Sequence, residues 1–564
     1  MQSTDRQMRK EAMTAWGDLY EEISGELDAL YDKMVPLRDK IAKKLGFSSY
    51  IEFIYLSYGR YDYTAEDVAR FRAQVKEKIV PLCLELRKEQ EKRLGVDRLH
   101  YYDEVPLNDE ELIFPEGNAV PEGTTEELVA KAQKMYHELS KETGEFFDFM
   151  VEHELFDLET KPGKQTGGYC TFLNTFKAPF IFSNFNGTSA DVDVLTHEAG
   201  HAFEAYTAAK QIPFMDMVFP TSEVAEIHSM TMEHFAYPWM NAFFGEKADD
   251  YRYAHLMSAL EVIPYMVCVD EFQHKVFENI GMTAKERRAI WHQLELTYMP
   301  WRNYDGHKFL EEGGFWMQKQ HIFVNPFYYI DYALAQICAF QFFERSKKEP
   351  EKAWDDYYRL CQAGGSKGYF ALLELAGLKN PFVDGTVEEV VAGLKPYLKR
   401  KVKYTIRPVK EEDLKKVAEV EALCFPAAEA AGYEDFMERY KTCKNSFFVA
   451  ETEDGEIAGF CNGCCADTDY LADALYHDAT LHNPDGDYQM IFGLDVNPKF
   501  QKQGIGEALM RHMVKSAGER DKKAVVLTCK DHMIPFYKRI GYEYIELSDS
   551  THGGAKWHKM MYRF

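Results

Sequence analysis

The chain has 564 residues, 46% of them hydrophobic and 28% charged, with a formal net charge of −26. That length exceeds what one hydrophobic core organises, so at least two globular domains are expected. The acidic balance lies mostly in the first 402 residues and argues against nucleic-acid or anionic-membrane partners.

At the start, Met-Gln-Ser-Thr-Asp-Arg-Gln has no apolar segment of the kind that directs secretion, and no later apolar run reaches membrane-spanning length. The 11 Cys lack framework spacing, which suits reduced thiols and a cytoplasmic location. Helical periodicity runs from Asp67 to Leu94 and from Thr125 to His153. Ala178-Pro-Phe-Ile-Phe-Ser-Asn-Phe-Asn-Gly187 is the best strand candidate of the first 400 residues. As an edge strand it would pair with a peptide backbone, and a purely structural strand fits the same residues equally.

The next element carries the chemistry. His197-Glu198-Ala199-Gly200-His201 sits between Val192, Val194, Leu195 and Ala202, Phe203, the pattern of a buried helix. His at i and i+4 share a helix face and can bind one metal ion, with the intervening Glu198 in reach of a water there. A third ligand must come from elsewhere, and Glu223 and Glu226 are the acidic candidates. Thr207 stands where one peptidase pattern places a third His, and Pro220 and Thr221 stand where another places Glu. Glu226, Met230 and Glu233 share a helical face, which would aim one carboxylate at the metal and another at a ligand His.

With Ala225-Glu226 running through to Glu233, this motif resembles the thimet oligopeptidase and oligoendopeptidase F family. There the third ligand opens an A-E-x-x-x-x-x-x-E helix. The resemblance implies a mostly α-helical zincin-type domain over residues 1–400, one Zn2+ on His197, His201 and Glu226, and Glu198 as general base. Its substrates would be short peptides. Downstream, His321-Ile-Phe-Val-Asn-Pro-Phe-Tyr-Tyr-Ile-Asp-Tyr332 resembles the family's substrate-side segment. His321, Tyr332 and Tyr329 would then stabilise an oxyanion, with Tyr328 close to equal with Tyr329. Phe327 and Phe340 read as aromatic core. The resemblance covers roughly residues 5–400 and lacks the family's N-terminal helical lobe, so neither the family's restriction to short peptides nor its stability carries over with the resemblance. The rival expectation is that only the remainder of the chain is active and this half merely binds peptides or serves as a scaffold.

The helical pattern ends near Val390 to Val402 in a short basic run, and Tyr404-Thr-Ile-Arg-Pro opens a strand-rich region. Cys461, Cys464 and Cys465 lack a matching Cys or His pair and sit in a strand-like run, against a metal site. Phe492-Gly-Leu-Asp-Val-Asn-Pro-Lys-Phe-Gln501-Lys-Gln503-Gly504-Ile505-Gly506-Glu507-Ala508 reads as a strand, a glycine turn and a helix, a place for a pyrophosphate. Gln501-x-x-Gly504-x-Gly506 resembles the acetyl-CoA motif of GNAT N-acetyltransferases. Ile406-Arg-Pro, the Phe447 to Phe460 hairpin and Pro535-Phe-Tyr537 through Tyr542 resemble further parts of that family. The resemblance implies an α/β mixed-sheet GNAT domain over residues 401–564, transferring acetyl from acetyl-CoA to a primary amine. Gln501, Gln503, Gly504, Ile505, Gly506, Glu507 and Ala508 would hold the cofactor, and Tyr537 would protonate the CoA thiolate. The strand Met490 to Val496 lacks the histidines that some members use as a base, which leaves Asp495, His482 and His552 as candidates.

Overall fold

The computed structural model describes residues 3–104, 112–399, 402–425, 430–452, 455–470, 475, 478, 481–501, 503–548 and 556–564. Arg400 and Lys401, in the expected linker, and His552 lie outside the described residues. By its contacts the chain divides into two compact units, Met1–Arg400 and Lys401–Phe564. Among the described residues no helix is long and apolar enough to cross a membrane.

The first unit opens on α1 (Arg6–Lys44), N-capped by Asp5, whose carboxylate accepts from the Gln7 and Met8 amides. The periodic run from Asp67 to Leu94 forms Ala65–Gln74, a π-helical turn at Val75–Ile79, and Val80–Leu94. The run from Thr125 to His153 is two helices, α2 (Thr125–Leu139) and α3 (Lys141–Glu152). Ser140 divides them: its backbone is extended and its side chain caps the Thr143 amide. A local cap here overrides a periodicity that would otherwise continue.

Three strands follow: β1 (Phe156–Glu159), β2 (Tyr169–Leu173) and β3 (Ala178–Phe185). Their order is β1-β3-β2, with β1 parallel and β2 antiparallel to β3. The edge reading of the Ala178 segment is therefore corrected. β3 is central, its side chains mostly buried, and the more exposed β2 takes the edge. Strand order is a non-local property, and the hydrophobicity that marked β3 as a strand is that of a strand covered on both sides.

Four helices then build the first unit's site: α4 (Ala190–Gln211), α5 (Ser222–Phe235), α6 (Ala248–Glu261) and α7 (Ile330–Lys348). α5 packs against both α4 and α7. Val192, Leu195 and Ala199 of α4 and Val224 and Ile227 of α5 are fully buried. Burial of each larger side chain contributes about 1.5–3 kcal/mol. Where α4 meets α5 the contact is backbone to backbone. A Cβ on Gly200 would lie 2.6 Å from Ser229 Cα and 2.8 Å from the His228 carbonyl oxygen. Only glycine permits that approach, one residue from His201.

The second unit is a seven-stranded sheet. Its strands are β4 (Tyr404–Pro408), β5 (Phe447–Thr452), β6 (Ile457–Ala466), β7 (Tyr488–Val496), β8 (Ala524–Cys529), β9 (Glu543–Leu547) and β10 (His558–Arg563). Their order is β4-β5-β6-β7-β8-β10-β9, all neighbours antiparallel except β7 and β8. That parallel pair holds only from Tyr488–Met490 to Ala524–Val526, after which the strands part. Phe492 is the extra residue of a bulge in β7, between the pairs Gly463–Ile491 and Asn462–Gly493. The helices are α8 (Leu414–Cys424), α9 (Tyr433–Cys443), α10 (Ile505–Gly518) and α11 (Ile534–Ile540).

Candidate active sites

In the first unit, α4 presents His197 and His201 on one face, their ring centroids 5.0 Å apart. α5 places Glu226 between them, with Oε2 3.3 Å from His197 Nε2 and 3.4 Å from His201 Nε2. The three ligand atoms lie within 4.8 Å of one another. Burial works to raise the Glu226 carboxyl, but His201 and His197 outweigh it and hold the group far below the usual carboxylate range. Ser229 Oγ donates to Oε2 over 3.0 Å, and Tyr328 donates to Oε1 over 2.9 Å. Glu223, one turn earlier, is buried beside Arg60 and Tyr63 and is not part of the three-ligand group.

Glu233 lies 2.5 Å from His197 Nδ1, so Nε2 is the nitrogen turned toward Glu226. Its other oxygen lies 2.9 Å from His255 Nε2, and His255 Nδ1 meets Tyr237 over 2.7 Å. Against burial, His197 and His255 hold the Glu233 carboxyl at about 2. Two imidazoles and a carboxylate converging on one point, with one imidazole oriented by a buried carboxylate, form a donor set that fits a zinc-type ion. His255, on α6, was missed in the sequence because nothing local ties it to the motif.

Glu198 is buried beside these ligands, its Oε2 without a hydrogen-bond partner among the described residues. Burial pushes its carboxyl up against the pull of His197 and His201, and the Cys170 backbone amide of β2 donates to it. The edge strand and the helix motif thus meet at this side chain. Gly168, just before β2, lines the same cavity of about 390 Å³ as His197, Glu198, His321, Tyr329 and Tyr332.

The wall opposite is the segment before α7. Phe327 adopts a left-handed backbone with φ 68°. Its N–H donates to Gln273 over 2.9 Å, and its carbonyl accepts from Arg60 over 2.7 Å. Arg60 also pairs with Asp331 at 2.6 Å, both side chains fully buried. This clamp turns Tyr328 onto Glu226 and leaves Tyr329 lining the cavity, where its hydroxyl accepts from Lys319 over 3.1 Å. Tyr332 packs edge-on to both tyrosine rings, and His321 stacks on Tyr328. Burial and the neighbouring Lys319 lower His321 to about 4, which leaves it neutral at pH 7. Lys319 was also missed, since an isolated Lys carries no sequence signal.

In the second unit, the parting of β7 and β8 opens a cavity of about 930 Å³. Gly504 (φ 83°) turns the chain into α10, so the first amides of that helix have no partners within it. Gln501, Gly504, Ile505, Gly506, Glu507 and Tyr537 line the cavity. Gln501 Nε2 folds back onto the Val496 carbonyl at 3.1 Å, Gln503 accepts from the Val402 amide at 2.7 Å, and the Ile505 side chain is buried in the core. Ala508 is in the first turn, bonded to the Gly504 carbonyl at 3.0 Å. Asp495 reaches the cavity, whereas His482 accepts from the Cys465 amide at 2.9 Å and does not line it. Cys461, Cys464 and Cys465 are buried in β6, and none belongs to a metal-binding group among the described residues.

A helix-borne His pair with its Glu and a carboxylate from a second helix is the architecture of a metallopeptidase. Residues 1–391 match the model of Peptidase family M3, and the chain belongs to that family. Residues 414–542 match the Acetyltransferase (GNAT) family, so a helical M3 peptidase domain is followed by a mixed-sheet GNAT domain. PZ peptidase A, solved with an inhibitor, is 50% identical, with 70% of this chain and 69% of that one covered at a TM-score of 0.67. The oligoendopeptidase F homolog of Borreliella burgdorferi is 25% identical over 309 residues, 53% of this chain and 50% of that protein. Serotonin N-acetyltransferase of Mesocricetus auratus is 27% identical over 112 residues, 20% of this chain and 53% of that enzyme. The chain spans 50% and 61% of the lengths of two curated oligopeptidases it matches.

Proposed function

We infer that the first unit is a zinc-dependent oligoendopeptidase that hydrolyses short peptides. The observation that carries this is the convergence of His197, His201 and Glu226 beside Glu198, in a cavity whose far wall is His321, Tyr329 and Tyr332. Zinc, when held by His197, His201 and Glu226, supplies Lewis-acid polarisation and lowers the pKa of a bound water. A peptide binds as an added strand along the free edge of β2, which makes recognition depend on backbone more than sequence. Glu198 takes the proton of the attacking water on its unpartnered oxygen and passes it to the leaving amine. The hydroxyl of Tyr332, with His321 and Tyr329, donates to the oxyanion that develops on the former carbonyl oxygen.

The second unit transfers an acetyl group from acetyl-CoA to a primary amine. The pyrophosphate rests on the α10 amides around Gly504, Ile505 and Gly506, with Gln501, Gln503, Glu507 and Ala508 around that turn. Tyr537 protonates the departing thiolate. Zinc content measured beside cleavage of a quenched fluorescent peptide tests the first activity. About one zinc per chain with turnover is expected, and a metal-replete protein without turnover on any peptide contradicts it. Transfer of labelled acetyl to amines tests the second.

A further inference from the structure

The acceptor side of the second unit's cavity holds a buried pair of carboxyls. β7 alternates, so Leu494 and Val496 lie toward α10, where both stand within 4 Å of a Cβ built on Gly506. Gly493 and Asp495 face the other way. A Cβ on Gly493 would stand 3.1 Å from Asp495 Oδ2 and 4.0 Å from Glu421 Oε2. Glu421, on α8, lies beside Asp495, and each carboxyl acts on the other's titration. Both line the cavity, yet Asp495 is 1% exposed and Glu421 6%.

The remaining partners are few. Glu421 Oε1 accepts from the Ala431 amide at 3.0 Å. The Cys424 thiol lies beside Asp495 and donates to the Val496 carbonyl at 3.3 Å. Arg439, on α9, pulls both carboxyls down electrostatically, and its Nη1 donates to Asn462 at 3.1 Å. Asp435, also on α9, lines the same cavity. Two buried carboxyls side by side favour one retained proton over two negative charges. Burial, with Glu421 beside it, pushes Asp495 up to about 9, in keeping with one retained proton at neutral pH.

We propose that Glu421 and Asp495 together form the acceptor site of the acetyl transfer, binding a basic primary ammonium and removing one of its protons. The proposal rests on the acetyltransferase reading of this unit. The singly charged pair attracts the ammonium and takes one proton, which frees the nitrogen lone pair. Nitrogen attacks the thioester carbonyl carbon; the N–C bond forms and the C–S bond breaks. A second proton leaves nitrogen for solvent, and the CoA thiolate gains one from the Tyr537 hydroxyl, which solvent restores. The pair then returns its extra proton to solvent, and the products are the amide and CoA thiol. Tyr537 lines the cavity, as do Thr528 and Cys529 of the opposite strand.

The test uses the full chain with Asp495→Asn and Glu421→Gln, each near-isosteric. Acetyl-CoA binding is measured by calorimetry. Transfer at neutral pH is measured to spermidine and Ala-Ala, whose amines are largely protonated, and to an arylamine that is already neutral. Each variant should bind acetyl-CoA within about twofold of the parent, lose transfer to the protonated amines by about 10²-fold or more, and lose far less toward the arylamine. Undiminished transfer to spermidine and Ala-Ala overturns the proposal. So does loss of acetyl-CoA binding in both variants, which makes the pair structural. A parent that binds acetyl-CoA but acetylates none of these amines refutes the acetyl-transfer reading itself, and the acceptor site with it.

Discussion

Glu198 Oε2 is a buried carboxylate oxygen with no partner among the described residues, next to two imidazoles that do have one. Glu198→Gln keeps shape and removes basicity. Metal content should stay at the parent level while kcat falls by about 10²–10⁴. Parent-like cleavage by a metal-replete variant would remove Glu198 from the base role. Tyr332→Phe deletes a single hydroxyl. A drop of about 10²–10³ in kcat with little change in KM is expected, because the charge it meets exists only in the transition state; a change confined to KM would place it in substrate binding. Asp495 gives a prediction of another kind. Its folded value is about 9, well above the roughly 3.9 of an unfolded chain. Between those values the folded unit holds a proton that the unfolded chain has lost, so stability falls as pH rises. Asp495→Asn does not titrate and should flatten that decline. Urea unfolding of the second unit from pH 5 to pH 9 reads it, and equal slopes in both proteins would show that the pair does not titrate there.

Helices and strands differ in how much of themselves they show in sequence. The His197 and His201 pair is legible because both lie on one short helix, and the Glu226 to Glu233 stripe is legible for the same reason. What escaped was whatever depends on partners distant in the chain. The central place of β3, the edge at β2, His255 beneath Glu233, and Glu421 opposite Asp495 are all of this type. The break at Ser140 was local but hidden, since a capping serine inside a helical pattern reads as one polar position among many. Gly200 belongs to this scale, because it lets α4 and α5 touch. Gly200→Ala drives a methyl into Ser229 Cα and the His228 carbonyl, which cannot rotate away as a side chain would. Forcing the helices apart should cost about 1–3 kcal/mol or more and weaken metal binding, since the ligands sit on both helices. A melting curve and metal retention check this, and unchanged values for both would mean that the crossing has slack.

At the scale of the whole chain, each unit has its own core and its own cavity. Gly506→Trp places a large ring among Val496, Leu494 and Phe536 at the phosphate turn and should abolish acetyl-CoA binding. Peptide cleavage by the same protein should match the parent. Calorimetry with acetyl-CoA and a fluorogenic peptide assay on one preparation decide it: retained cofactor affinity rejects the phosphate turn, and lost cleavage rejects independence of the two units. The succession of a helical and a mixed-sheet fold is legible in the sequence because domain-scale shifts, from long helical periods to short alternating strands, need no knowledge of contacts.

The parted strands carry a further consequence. Past Met490 and Val526, β7 and β8 no longer pair with each other among the described residues. A thread-like cofactor bearing amides of its own, such as the acetyl-CoA proposed for this unit, would take the place of a missing strand there. Cofactor concentration then becomes a structural variable: amide hydrogens of residues 491–496 and 527–529 should exchange more slowly with solvent as acetyl-CoA rises, in proportion to its occupancy.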